Sequence, residues 1–189
     1  MSKELSEMTL EELWKLFPIQ LTKHNKIWDD YYDEMQSILT DTLTIFSNVR
    51  ISHIGSTAID GIWAKPIIDV LIEIDKSKDI KEAAMRIEQK GFICMSTEQN
   101  RISFNSGYTK NGFADKIYHL HLRYFGDNDE LYFRDYLNEF PEIAKAYEHL
   151  KLDLWKRYEY NRDGYTAAKT EFIVQYTKEA KERYGGKYC

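Results

Sequence analysis

The sequence predicts an α/β fold of the α+β kind, a mixed β-sheet flanked by helices with a helical C-terminal part. Three observations carry this. Val49 to Ile74 reads as strand, Gly-Ser turn, short helical segment and second strand. Apolar residues on both sides of the sheet region recur at the 3,4 spacing of amphipathic helices. From Glu130 onward only the helical period remains. One unit is expected over 1–189, with N-terminal helices over 1–45, a sheet core over 49–125 and C-terminal helices over 130–185.

In chain order, Thr9 to Phe17 is a helix with Thr9 as N-cap, Glu12 completing a capping box and Pro18 as the stop. Leu10, Leu13, Trp14 and Phe17 share one face. A second helix from Lys26 to about Leu43 carries Trp28, Tyr31, Met35, Ile38 and Leu39. Val49–Ile54 and Ile67–Ile74 are strands. Asp79 caps a helix over Ile80–Lys90 that Gly91 ends. Short strands follow at Phe92–Met95 and Arg101–Phe104. Asn105–Asp115, rich in Asn, Gly and Lys, is expected as a mobile loop before a longer strand at Ile117–Phe125. Glu130–Phe140 is helical, Pro141 suits the first turn of a helix running to about Tyr158, and a last helix spans Tyr165 to Tyr184.

Composition narrows the function classes. With 43% hydrophobic and 30% charged residues the chain resembles an ordinary globular protein. A net charge of −5 argues against a general nucleic-acid coat while leaving room for a local basic pocket. No apolar run approaches the roughly 20 residues that span a bilayer, and the first residues lack a signal-peptide core. The two cysteines, Cys94 and Cys189, suggest neither zinc nor a disulfide framework. A cytoplasmic protein without membrane partners is the expectation. The abundant aromatic residues, including Tyr147 and Tyr165, are read as core packing, with stacking on a base as the other role open to these two.

Gly55-Ser56 is the first candidate site, because glycine lets a backbone approach a ligand and serine adds a hydroxyl beside free N–H groups. The same pair also suits an ordinary tight turn. Asp69 lies in an apolar strand, where an ionised carboxylate is costly unless it binds something. Glu73 shares its face about 13 Å away and is read as a solvated strand-end acid. His119 and His121, two apart on a strand, point to one face; with Asp69 they make a plausible single-metal set, although a polar strand face gives the same pattern. His53 either joins that cluster or is a packed, hydrogen-bonded histidine. Lys65, Arg101, Lys151 and Lys169 are candidate anion-binding cations, with solvated surface roles as the alternative. Arg134 with Asp135 suits either that pocket or a structural ion pair.

The stretches His53-Ile-Gly-Ser-Thr-Ala and Ala64-Lys-Pro-Ile-Ile-Asp69 closely resemble the signature of the GrpB family. Further matching stretches are His119-Leu-His121, Phe133-Arg-Asp-Tyr-Leu137, Tyr147-Glu-His-Leu-Lys151 and Tyr165-Thr-Ala-Ala-Lys169. This family is grouped with the nucleotidyltransferase superfamily, so the resemblance implies a nucleotidyltransferase-like sheet. It further implies transfer of a nucleotidyl group from a nucleoside triphosphate to an unknown acceptor. In that frame Gly55 and Ser56 hold phosphates, and Asp69 and Ser56 are the catalytic candidates. Asp69, His119 and His121 would bind a divalent metal, magnesium or manganese, with zinc as the alternative. One departure stands out: the superfamily's Asp-x-Asp pair becomes Ile67 and Asp69, and two-metal chemistry needs more oxygen ligands than this. The rival reading is therefore a non-catalytic module that binds a nucleotide or phosphorylated metabolite. Coenzyme A-related ligands are included, since some family domains are fused to a dephospho-coenzyme A kinase. A metal-dependent hydrolase using the same residues is the third.

Overall fold

The computed structural model describes residues 3–188, so Cys189 lies outside the described residues. Helix α1 spans Leu10–Leu16, and Thr9 and Glu12 close its capping box as expected. Helix α2, Ile27–Thr42, is followed by strand β1, Val49–Ile54, a single 3-10 turn at Ser56–Ala58, and strand β2, Ile68–Ile74. Helix α3, Ile80–Glu88, starts at Asp79, whose side chain accepts from the Lys81 N–H. Strands β3 (Ile93–Glu98), β4 (Arg101–Thr109) and β5 (Gly112–Tyr124) complete the sheet. Helices α4 (Asp129–Glu139), α5 (Pro141–Tyr158), α6 (Arg162–Ala167) and α7 (Thr170–Tyr184) form the C-terminal part. Among the described residues no helix is long and apolar enough to cross a membrane.

The sheet order is β1-β2-β5-β4-β3, with β2 and β5 parallel and the other pairs antiparallel. Alternation along the strands gives the sheet two distinct faces. Ile68, Val70, Ile72 and Ile74 of β2 are at most 1% exposed and pack with Leu120 and Leu122 of β5 against Met35, Leu39, Ile80 and Ala83 of α2 and α3. Burying each such aliphatic side chain contributes about 1.5–3 kcal/mol. This apolar face fixes the register, so the intervening positions Asp69, Leu71, His119 and His121 are set on the other face. A second apolar body, built from Ile59, Ile62, Phe133, Leu137, Tyr147 and Ala180, ties α4, α5 and α7 to the segment after β1.

Three expectations are corrected. Asn105–Asp115 is a hairpin rather than a mobile loop: β4 and β5 run on to a turn at Thr109–Gly112. Tyr108 and Phe113 pair across it, with ring centroids 4.9 and 5.1 Å from that of Phe17, so aromatic packing outweighs the local turn composition. Gly107 sits at a bulge with φ +90°, and a Cβ there would lie 2.3 Å from the Lys116 carbonyl oxygen. The last helix is broken into α6 and α7, with the Lys169 N–H shifting to the Thr166 carbonyl.

Glu73 is the third correction. It is fully buried, not solvated, and receives Arg50 Nε at 2.6 Å and Nη2 at 2.8 Å, with Asn128 Nδ2 at 2.9 Å. Such a charge is tolerated only while its partners remain. Arg50→Met should therefore lower unfolding stability by about 2–4 kcal/mol, read as a lower urea midpoint with an unchanged slope.

Candidate functional site

The carboxylate of Asp69 sits directly beneath the turn that follows β1. Gly55 holds φ +73°, and a Cβ on it would lie 2.4 Å from Asp69 Oδ2. The glycine is thus required twice, for a left-handed backbone and for contact with the acid. Parallel pairing of β2 with β5 places Asp69 opposite His119, and one turn of the pleat further on lies His121. Asp69 Oδ1 is 3.3 Å from His119 Nδ1 and 3.5 Å from His121 Nε2. Burial opposes the Asp69 charge, yet the hydrogen bonds from His119 and His121 outweigh it and hold its pKa below the ordinary carboxylate value.

The set continues outward. His119 Nε2 is 2.7 Å from the Tyr108 hydroxyl, to which Arg162 Nη2 donates at 3.0 Å. The groups run in a line from α6 to the acid: Arg162 donates to the Tyr108 hydroxyl, that hydroxyl meets His119 Nε2, and Nδ1 of the same ring lies beside Asp69 Oδ1. The hairpin arm and α6 therefore orient the acid through one imidazole.

Beside this acid lies a cavity of about 780 Å³, lined by Gly55, Ser56, Asp69 and His119 from the sheet side and by Tyr147, Lys151, Tyr165 and Lys169 from the helices. Lys65 also lines it. Lys151 is 1% exposed and donates to the Trp63 carbonyl oxygen. Lys65 and Lys169 face the cavity with their ammonium groups 5.3 and 4.4 Å from the centre of the Tyr165 ring. Burial is the main cause that pushes all three lysines down, Lys65 and Lys151 to about 7 and Lys169 to about 8. The charge of Lys169 adds to the effect on the other two, while Asp69 opposes it at Lys65 and Lys169. These three like charges share one cavity wall region with Asp69, an arrangement that favours an anion.

The family pattern described as "GrpB protein" matches residues 18–179. The chain belongs to the GrpB family. The glutamate-rich protein GrpB of Alkalihalophilus pseudofirmus is 33% identical over 168 residues, covering 84% of this chain and 94% of that one. YqkA of Bacillus subtilis is 29% identical over 180 residues, and the match spans 91% of this chain but only 51% of YqkA. Among solved structures, the GrpB protein of Enterococcus faecalis superposes with a TM-score of 0.73 at 28% identity, covering 87% of this chain and 99% of that one. A cytoplasmic RNA terminal U-transferase matches with a TM-score of 0.50 at 12% identity, over 79% of this chain and 45% of that one. That likeness shows the fold, which is nucleotidyltransferase-like.

For this GrpB family member the structure brings Gly55, Ser56, Lys65, Asp69, His119, Lys151 and Lys169 to one cavity. His121 reaches Asp69 from the same strand face. Arg101 does not join them. It shares their sheet face, but Nε and Nη2 are held by Asp127 at 2.7 and 2.6 Å, two pleats beyond His119. His53 is a packed histidine, stacked on Tyr32 and 2.9 Å from Thr57 Oγ1, and burial pushes it down to about 4. Arg134 is the structural ion pair with Asp135 and also donates to the His53 carbonyl.

The expected metal set fares differently. Both imidazoles address the same Asp69 oxygen, and the second nitrogen of His119 is engaged by Tyr108. Ile67, two residues before Asp69, is apolar and 4% exposed and offers no ligand. Among the described residues no group of three or more His, Cys, Asp or Glu is placed to hold a metal ion. The side chains present do not fit a divalent metal in this arrangement; they form a hydrogen-bonded set instead. Tyr108 and Arg162, which orient His119, carried no motif in the sequence and become visible only through the hairpin pairing.

Two outcomes follow. Gly55→Ala should destabilise the protein by at least about 2 kcal/mol in denaturant unfolding, and adding Asp69→Ala should recover only the part due to the contact, leaving the backbone strain. The lysines set a pH dependence. Unfolded lysines titrate near 10.5, so between about pH 7 and 10 the unfolded state binds more protons and stability rises with pH. The melting temperature of the free protein should show a smaller rise over pH 7–9.5 in Lys65→Met/Lys169→Met than in the wild type. Parallel profiles would show that these ammonium groups are not strained by folding.

Proposed function

We propose that the cavity binds a phosphorylated small molecule, with a nucleoside triphosphate as the leading ligand. The observation that supports this is the gathering of Lys65, Lys151 and Lys169 with Asp69 in one cavity, whose other carboxylates, Asp129, Glu130 and Glu182, are paired with Lys181, Arg123 and Lys178. Phosphate oxygens would accept hydrogen bonds from the lysine ammonium groups and offset their mutual repulsion, and Gly55-Ser56 would add a hydroxyl and backbone donors at the cavity wall. The volume of about 780 Å³ exceeds what a triphosphate chain needs and lies in the range of whole small-molecule sites. The ligand therefore carries a substantial group beyond its phosphates. Such ligands belong to the cytoplasm, the compartment this reading assigns to the protein.

Nucleotidyl transfer is the second reading, favoured by one observation: Asp69 stays ionised and faces the same cavity as the lysines. In this reading the lysines neutralise charge on the leaving pyrophosphate. In the first, the protein binds without turnover, and coenzyme A-related phosphates are ligands on equal terms with nucleotides.

Calorimetry separates them. The wild type should bind a nucleoside triphosphate, dephospho-coenzyme A or coenzyme A, and Lys65→Met/Lys169→Met should weaken that binding by about tenfold or more. Pyrophosphate release in the presence of magnesium, manganese or zinc, lost in Asp69→Asn while binding persists, would support transfer. Binding without release under each metal would support the module. No binding of any of these ligands would sink the reading.

A further inference from the structure

Tyr165 is 1% exposed, lines the cavity, and is wedged by Ile19, Leu150, Leu154 and Trp155. Its hydroxyl oxygen is buried and has no hydrogen-bond partner among the described residues. Buried polar atoms are nearly always paired, so an orphan of this kind calls for an explanation. The other buried side-chain atoms left without partners are His24 Nδ1, Arg86 Nε and Glu130 Oε2. Of these only Glu130 lines the cavity, and a carboxylate oxygen is an acceptor. Tyr165 is thus the orphaned donor of the cavity among the described residues.

Its surroundings say what it lacks. The ammonium groups of Lys65 and Lys169 flank the ring at 5.3 and 4.4 Å from its centre, and an ammonium can only donate. Burial pushes the phenol up from its ordinary value, so it keeps its proton even beside these cations. A protonated phenol with no acceptor among the described residues needs one, and the lysines against its ring favour an acceptor that is negatively charged.

We propose that Tyr165 donates its hydroxyl proton to an anionic phosphoryl oxygen of the bound ligand and is a specificity residue of the site. This rests on the phosphate-binding reading above. The hydroxyl is a penalty in the free protein that is repaired on binding, so removing it should move two quantities in opposite directions. Tyr165→Phe keeps the ring, its packing and its contacts with the two lysines.

The test pairs a melt of the ligand-free protein with calorimetry against inorganic triphosphate and a nucleoside triphosphate. Tyr165→Phe should melt at the wild-type temperature or above it, and bind whichever triphosphate the wild type binds about tenfold more weakly. Equal affinity in the two proteins overturns the inference while leaving the phosphate reading intact. A free variant that melts clearly lower assigns the hydroxyl a partner within the protein and also overturns it. A wild type that binds neither triphosphate overturns this inference and the nucleotide reading together.

Discussion

The site depends on keeping one carboxylate ionised in the middle of an apolar strand. Asp69 stands between Ile68 and Val70, which are at most 1% exposed, so its charge is tolerable only through what surrounds it. Three features supply that. Parallel pairing with β5 brings the two imidazoles, the absence of a side chain at Gly55 leaves room for Oδ2, and the cavity lets solvent or ligand reach the rest. All three depend on register. A slip of one residue between β2 and β5 would set Leu120 beside Asp69 in place of His119. The apolar residues that face α2 and α3 prevent that slip, so the greasy face of the sheet determines the chemistry of the polar one.

The lysines come from three separate places: the segment before Pro66, the body of α5 and the break between α6 and α7. Folding the helical part onto the sheet therefore gathers positive charge and strips it of water. The second apolar body, with Phe133, Leu137 and Tyr147 at its heart, supplies the attraction that holds them together against this repulsion. The helix break has a direct role here, since it places Lys169 at the head of α7 and turns Tyr165 of α6 inward beneath it. Stability is conceded at the site and recovered in the aromatic packing beneath it, a common division of labour in binding proteins.

Much of this was legible from residue order alone. Period-2 alternation was enough to put Asp69 and the His pair on one face, and capping at Thr9 and Asp79 marked helix starts correctly. What escaped was set by partners distant in sequence. Glu73 looked like a solvated acid because Arg50 lies 23 residues earlier and meets it only through β1–β2 pairing. Arg101 looked available for a ligand because its true partner, Asp127, lies beyond the end of β5. The hairpin arm read as a loop because its Asn and Gly residues signal turns locally, whereas Phe17 from α1's end holds Tyr108 and Phe113 in place. The breakpoint at Lys169 has no glycine or proline to announce it.

The charges around the cavity also give the ligand a direction. Its inner wall holds Lys151, at 1% exposure, while Asp129 of α4 and Lys178, Lys181 and Glu182 of α7 form its exposed rim. There Lys181 pairs with Asp129 and Lys178 with Glu182, all at least 48% exposed on their side chains. Rim charges that are paired and solvated are screened and contribute little to binding. The deep lysines lack that compensation, and a Coulomb interaction there is screened far less. A ligand with one strongly anionic end would therefore enter with that end toward Asp69 and the Gly55 turn, leaving its neutral portion between Phe133, Ile173 and the rim. Placed this way, its phosphates come beside an acid already committed to two histidines, which bears on chemistry as well as affinity. Asp69 has one oxygen, Oδ1, engaged by the imidazoles and the other against the Gly55 backbone. An acid so enclosed is better suited to fixing the turn and the imidazoles than to releasing either oxygen, so in the proposed reading the lysines, rather than the acid, would supply the affinity.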